Sequence, residues 1–184
     1  MKNKIFAVGL VALFLGTVAF TFALVNIRAD KGNSYISYTC VHKLHTWTGV
    51  DKKIDCAISY DDASNTVQKV IVAANVADFD SGDASRDSHG LEVLEGIKFP
   101  KVTFASTGVT QTGNDLKIDG YLTFHGEKKW ITFKGTREDK DKQIIVKGKF
   151  NISLTDYKVE RPSFMLMKTN DNMDLEFSTI FNRS

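Results

Sequence analysis

Eight stretches of this chain alternate apolar and polar residues with period two, and no other feature constrains the fold as much. They cover approximately residues 35–44, 53–60, 66–79, 101–109, 115–124, 130–138, 143–154 and 172–181. A strand turns successive side chains to opposite faces, so each stretch can bury one row and leave the other in water. The breaks carry turn chemistry: Asp61-Asp62, Thr112-Gly113-Asn114, His125-Gly126-Glu127 and Glu138-Asp139-Lys140-Asp141. Short links imply antiparallel neighbours, and strands of this kind lose their exposed edges by closing on themselves. The pattern predicts an all-β fold, an eight-stranded antiparallel up-and-down barrel. Parity alone does not separate it from a two-sheet sandwich.

One segment breaks the rhythm. Between the third and fourth stretches, Ser81 or Asp83 offers a helix cap, Leu91, Val93 and Leu94 supply an apolar face, Gly96 ends the helix and Pro100 bars its return. A single helix inserted among strands must lay that face on the sheet. Arg86, His89, Leu91 and Leu94 are therefore candidate lid or mouth residues.

Lys2 and Lys4 precede an apolar run from Ile5 to Val25, with small residues at Thr17 and Ala19, or Thr21 and Ala23, as cleavage points. Residues 1–25 read as a signal peptide or, if retained, an N-terminal membrane anchor, since about 20 apolar residues span a bilayer. Either reading puts the rest in a periplasmic or otherwise exported compartment, with membrane association through the apolar run if it stays. The formal charge of +2 is scattered over turns and alternate strand positions, which argues against a nucleic-acid partner. A Gly-x-Ser-x-Gly elbow, a phosphate-binding glycine loop and a His-Glu-x-x-His pair are all missing from the sequence. Cys40 and His42, two apart on a strand, sit about 7 Å from each other, too far for proton transfer. No catalytic residues are expected.

If residues 35–44 and 53–60 pair as a hairpin, a register sum of 96 puts Ile36 opposite Tyr60, Tyr38 opposite Ile58, Cys40 opposite Cys56 and His42 opposite Ile54, all on one face. That register predicts a Cys40–Cys56 disulfide, closing a loop worth on the order of 3 kcal/mol. The alternative is two buried thiols acting as small hydrophobes.

Taking the inward row of every stretch gives an apolar wall. It includes Ile36, Tyr38, Ile54, Ile58, Tyr60, Val72, Ala74 and Val76, then Val102, Phe104, Leu116, Ile118, Leu122, Phe124, Ile131 and Phe133, and finally Ile144, Val146, Phe150, Leu175 and Phe177. Ala74, Ser106, Gly120, Gly135 and Gly148 are small inward positions. They either leave an apolar cavity unfilled or mark bulges and corners of the sheet. In the cavity reading, the ligand contacts are Tyr38, Ile58, Val72, Ala74, Val76, Phe104, Gly120, Leu122, Phe124, Phe133, Val146 and Phe150, with His42 near the strand end as a polar contact. His42-x-x-His45 has metal-pair spacing without a third ligand beside it, so no metal site is assigned.

The segment Arg86-Asp87-Ser88-His89 followed by a short acidic helix and Lys98-Phe99-Pro100-Lys101-Val102-Thr103-Phe104 resembles the hallmark of the YceI family. Gly120-Tyr121-Leu122-Thr123-Phe124-His125-Gly126 with Lys129, Glu160-Arg161-Pro162-Ser163 and the strand-closing Gly82 agree with it. The resemblance covers the domain at residues 34–184. It implies a lipocalin-like barrel that carries or stores a long apolar isoprenoid, a polyisoprenoid or an isoprenoid quinone, and needs no cofactor beyond that lipid. A barrel packed solid, serving as an envelope interaction module, is the alternative function.

Overall fold

A computed structural model describes residues 24–183, except 165 and 166 and the side chain of Phe164. The expected leader, residues 1–25, lies outside the described residues but for its last two, Leu24 and Val25, which are paired in a strand. In chain order the elements are β1 (Leu24–Arg28), β2 (Tyr35–Val41), β3 (Thr46–Asp51), β4 (Asp55–Asp61), β5 (Thr66–Asn75), α1 (Ala84–Val93), β6 (Lys101–Thr112), β7 (Asp115–Phe124), β8 (Glu127–Lys140), β9 (Gln143–Ser153), β10 (Ser163–Phe164), β11 (Met167–Lys168) and β12 (Asn172–Asn182).

Ten strands form one antiparallel sheet in the order β1-β4-β5-β6-β7-β8-β9-β12-β2-β3, and β10-β11 make a separate ribbon. The large sheet curls on itself through two thin seams. Ala29 donates its N–H to the Cys56 carbonyl at 2.8 Å, and Asp30 donates to that of Ile180 at 2.7 Å, so two residues after β1 join β4 to β12. Val50 and Asp80 exchange both backbone hydrogen bonds, at 2.9 and 3.1 Å, and fasten β3 beside the entry to α1. The expected all-β barrel with one inserted helix is present, with ten strands in its sheet instead of eight.

The first hairpin is not the expected one. His42 and His45 close a tight turn, each N–H donating to the other's carbonyl, and β3 folds back on β2. Cys40 therefore faces Trp47, while Cys56, on β4, faces Val72. The register of 96 and its disulfide fall with that pairing: both cysteines are buried free thiols. Tyr38 opposes Gly49, where a Cβ would overlap the tyrosine ring, so this glycine lets the ring lie across its neighbour strand.

The two ends of the barrel are built differently. At one end the β4–β5, β6–β7 and β8–β9 turns converge on Arg137, whose side chain is 3% exposed. Its guanidinium donates to the Asn65 carbonyl and Oδ1, both at 2.7 Å, to Gln111 Oε1 at 3.3 Å and to both Asp139 oxygens at 3.0 and 2.9 Å. Tyr60 donates its hydroxyl to Asn65 Oδ1, and Arg183 reaches Tyr60 Oη from the end of β12.

At the other end lies α1. Asp83 caps it by accepting the N–H groups of Ser85 and Arg86 at 3.0 Å. Its last turn closes with Gly96 N–H on the Leu91 carbonyl and Glu95 N–H on that of Glu92. The left-handed position is taken by Glu95 (φ 45°), not by Gly96. Gly96 is needed instead for proximity, because a Cβ there would overlap the Leu91 side chain.

Candidate ligand cavity

The inward rows of the sheet enclose an apolar cavity of about 200 Å³ that reaches from α1 to Leu116, Val67 and Phe181 at the hairpin end. That is more than ten times the space a single water requires, for which 10–15 Å³ is about the minimum. Of the large apolar side chains expected on the inner wall, all but Tyr60 and Ile144 line it, and those two are buried beside it; of the small inward positions only Ala74 does, and Ser106, Gly120, Gly135 and Gly148 do not. The parity argument works because a side-chain period of two leaves no intermediate choice of face.

The expected contacts Tyr38, Ile58, Val72, Ala74, Val76, Phe104, Leu122, Phe124, Phe133, Val146 and Phe150 all border the cavity. Gly120 and His42 do not. A Cβ on Gly120 would come within 2.7 Å of both Phe104 Cζ and Ser106 Cα, opposite a bulge between Ser106 and Gly108. The space its side chain would take is filled by the β6 backbone, the Ala105 carbonyl oxygen coming nearest, together with the Phe104 ring. Gly148 likewise makes way for its cross-strand partner Phe177, whose Cζ would lie 2.6 Å from an added Cβ. These glycines admit aromatic rings instead of leaving space empty. The rings meet as a cluster: Phe133 stacks on Phe150 at 4.7 Å between centroids and meets Phe104 and Phe177 edge-on at 5.2 and 5.8 Å.

His42 is buried and committed elsewhere. Its Nδ1 accepts the Leu44 N–H at 3.2 Å, which makes Nε2 the donor to the Met167 carbonyl at 3.0 Å. The ring thereby ties the β2–β3 turn to the β10–β11 ribbon. Of the expected lid residues, Leu94 lines the cavity, whereas Arg86, His89 and Leu91 do not. Arg86 is drawn back by the Ser81 carbonyl and hydroxyl, at 3.4 and 3.3 Å, and by Asp83 at 3.5 Å. His89 sits 3.7 Å from Glu92 on the outer side. In their place α1 presents Asp87, Gly90 and Val93. Asp87, Gly90 and Leu94 follow the i, i+3, i+7 spacing of one helix face, the signal that could have found them.

Burial pushes the Cys56 thiol up to about 12. Cys40 rises to about 12 as well, by burial and then by repulsion from Asp174. Both cysteines border the cavity, as does Trp47. Tyr38 is also pushed up to about 12, by burial first and then by Cys40 and Asp87. Such thiols are poor nucleophiles, since reactivity belongs to the thiolate.

A family model described as a YceI-like domain matches residues 28–181. The chain belongs to the YceI-like family. Its curated YceI-like relatives include a UPF0312 protein of Enterobacter, 31% identical over 137 residues, which cover 73% of this chain and 71% of the relative. Protein YceI of Salmonella newport is 30% identical, with 73% of this chain and 72% of the relative covered. Among solved structures, Burkholderia cenocepacia BcnA superposes with a TM-score of 0.74 at 20% identity, covering 83% of this chain and 98% of its own. A polyisoprenoid binding domain from Saccharophagus degradans gives 0.72 at 14% identity, with 88% and 100% covered. At those identities the superpositions establish a shared YceI-like fold and nothing finer.

Proposed function

We propose that this protein is a non-catalytic lipid binder that holds the tail of a long isoprenoid, a polyisoprenoid or an isoprenoid quinone, inside its barrel in an exported compartment. The cavity running from α1 toward the Arg137 end carries this reading. Each CH₂ moved from water into such a space is worth about 0.8 kcal/mol, so a tail of several isoprene units needs no strong polar anchor. A barrel of antiparallel strands leaves no backbone polar group on its inner wall in search of a partner, which keeps the space dry. The Saccharophagus domain of the same fold, a polyisoprenoid binding domain, supports the choice of tail. Export rests on the apolar run from Ile5 to Val25 behind Lys2 and Lys4.

Organic extraction of the full chain purified from its native compartment, followed by lipid mass spectrometry, tests the reading. One isoprenoid per protein is expected. Ala74 lines the cavity wall, and Ala74→Phe should cut the retained lipid severalfold in a protein whose circular dichroism is unchanged. Extracts free of any long apolar molecule, or full retention in a folded Ala74→Phe variant, would leave the packed-module alternative standing.

A further inference from the structure

We infer that the mouth of the barrel sorts ligands by the charge of their head group: Asp87 accepts a neutral head bearing an O–H or N–H donor and turns away carboxylate- and phosphate-headed tails. The inference rests on the lipid-binding reading and narrows it to a class of lipid.

Among the described residues that border the cavity, Asp87 is the one carboxylate, and Lys, Arg and His are all missing. The group lies at the α1 end, close enough to Tyr38 to perturb its hydroxyl, and shares that end with Trp47 and Gly90. Its two oxygens accept the Ser81 N–H, both at 3.2 Å. A carboxylate holds about four lone-pair positions, so capacity remains for a donor from a ligand.

Arg86, the cation nearest in sequence, offsets this charge only in part: it is held by Ser81 and Asp83, stays off the lining, and acts on the Tyr38 hydroxyl more weakly than Asp87 does. The N-terminus of α1 would otherwise attract an anion, but Asp83 already occupies its first N–H groups. An anionic head drawn down by its tail would leave water, gain no counter-charge and approach a like charge, each step unfavourable. A hydroxyl or amide head loses little and gains a charge-assisted hydrogen bond.

The test uses pairs of amphiphiles with one tail and two heads. Full-length protein stripped of lipid is loaded with the neutral apolar fluorophore N-phenyl-1-naphthylamine, and oleyl alcohol and oleate compete it out at low salt. The alcohol should displace the probe at a concentration at least about tenfold lower than oleate. Asp87→Asn should shrink that ratio to about threefold or less, whereas Asp87→Glu should keep it. Gly90→Lys covers the case in which the Asp87 variants do not fold. A Cβ at Gly90 meets nothing within 4 Å, and the lysine puts a cation at the same mouth. It should improve oleate binding about tenfold relative to that of the alcohol, so that the preference for the alcohol is lost. Equal competition by the two heads in the wild type, or a ratio that ignores both Asp87→Asn and Gly90→Lys, overturns charge sorting while leaving lipid binding intact. Failure of the wild type to take up the probe at all would instead overturn the lipid-binding reading beneath it.

Discussion

The hairpin end and the helix end of this barrel solve the same problem, how to finish a tube, by opposite means. At the hairpin end one buried cation gathers three turns and the end of β12. Every donor of Arg137 has an acceptor, and the Tyr60 ring lies 5.4 Å below the guanidinium. At the helix end α1 has no fully buried residue and is held by one cap, one closing turn and the half-buried Val93 and Leu94. Opening free energies in a protein track buried contacts and protected hydrogen bonds. The contrast makes the first end a floor and the second, on the proposed lipid-binding reading, the entrance.

The floor should give the largest response. Arg137→Met removes the charge-assisted hydrogen bonds to Asn65, Asp139 and Gln111, whose acceptors stand near solvent, and is expected to cost about 2–4 kcal/mol in urea unfolding. A loss under 1 kcal/mol would mean that the network is ornamental. Next comes the wall between the two ends. Gly148→Ala drives a methyl to 2.6 Å from Phe177 Cζ and 2.7 Å from the Lys134 carbonyl, which belongs to the backbone and yields little. A loss of about 1–3 kcal/mol is expected, and a neutral result would show that the aromatic cluster has slack.

Alkaline pH should act on the wall more gently. The folded-state values of Cys40 and Cys56, both about 12, lie above their ordinary value of 9.0. A raised value favours the folded state below the unfolded one and loses that contribution as pH climbs through the gap. Stability should therefore fall between pH 9 and 12, and a Cys40→Ala/Cys56→Ala variant should fall less steeply. Parallel curves would remove the thiols as the cause. The smallest effect belongs to the entrance. Asp83→Ala removes the cap of α1 at about 1 kcal/mol, so amide exchange should quicken from Ala84 to Leu94 while the amides around Arg137 keep their rates. Equal quickening at both ends would erase the distinction between floor and entrance.

What could be read in the sequence was whatever a strict period decides. The inner wall came out almost residue for residue, because a strand residue has only two faces to choose from. The helix was legible for the same local reason, with Ser81 and Asp83 as the two cap candidates, of which the structure uses Asp83. Partner choice was not. Residues Thr46 to Asp51 are short and follow a turn, so they read as loop, yet they form β3 and displace the expected β2–β4 hairpin with its disulfide. The glycines misled in the other direction: Gly120 and Gly148 look like missing volume in one strand, and only the neighbouring strand supplies the atoms that fill it. In α1 the apolar positions drew notice to Leu91, whereas the face that meets the cavity runs through Asp87 and Gly90, which only the helical spacing back from Leu94 picks out.

The seam at Ala29 and Asp30 carries a kinetic consequence. It joins a residue near the start of the described chain to Ile180 near its end, and such distant pairings form late and slowly. Until β12 has been made, the tube is an unlatched ribbon with one greasy side exposed. If the protein binds a lipid as proposed, a tail captured at that stage would be wrapped by the closing sheet instead of threaded through a finished opening, and the order of synthesis and loading would set how much lipid each molecule retains.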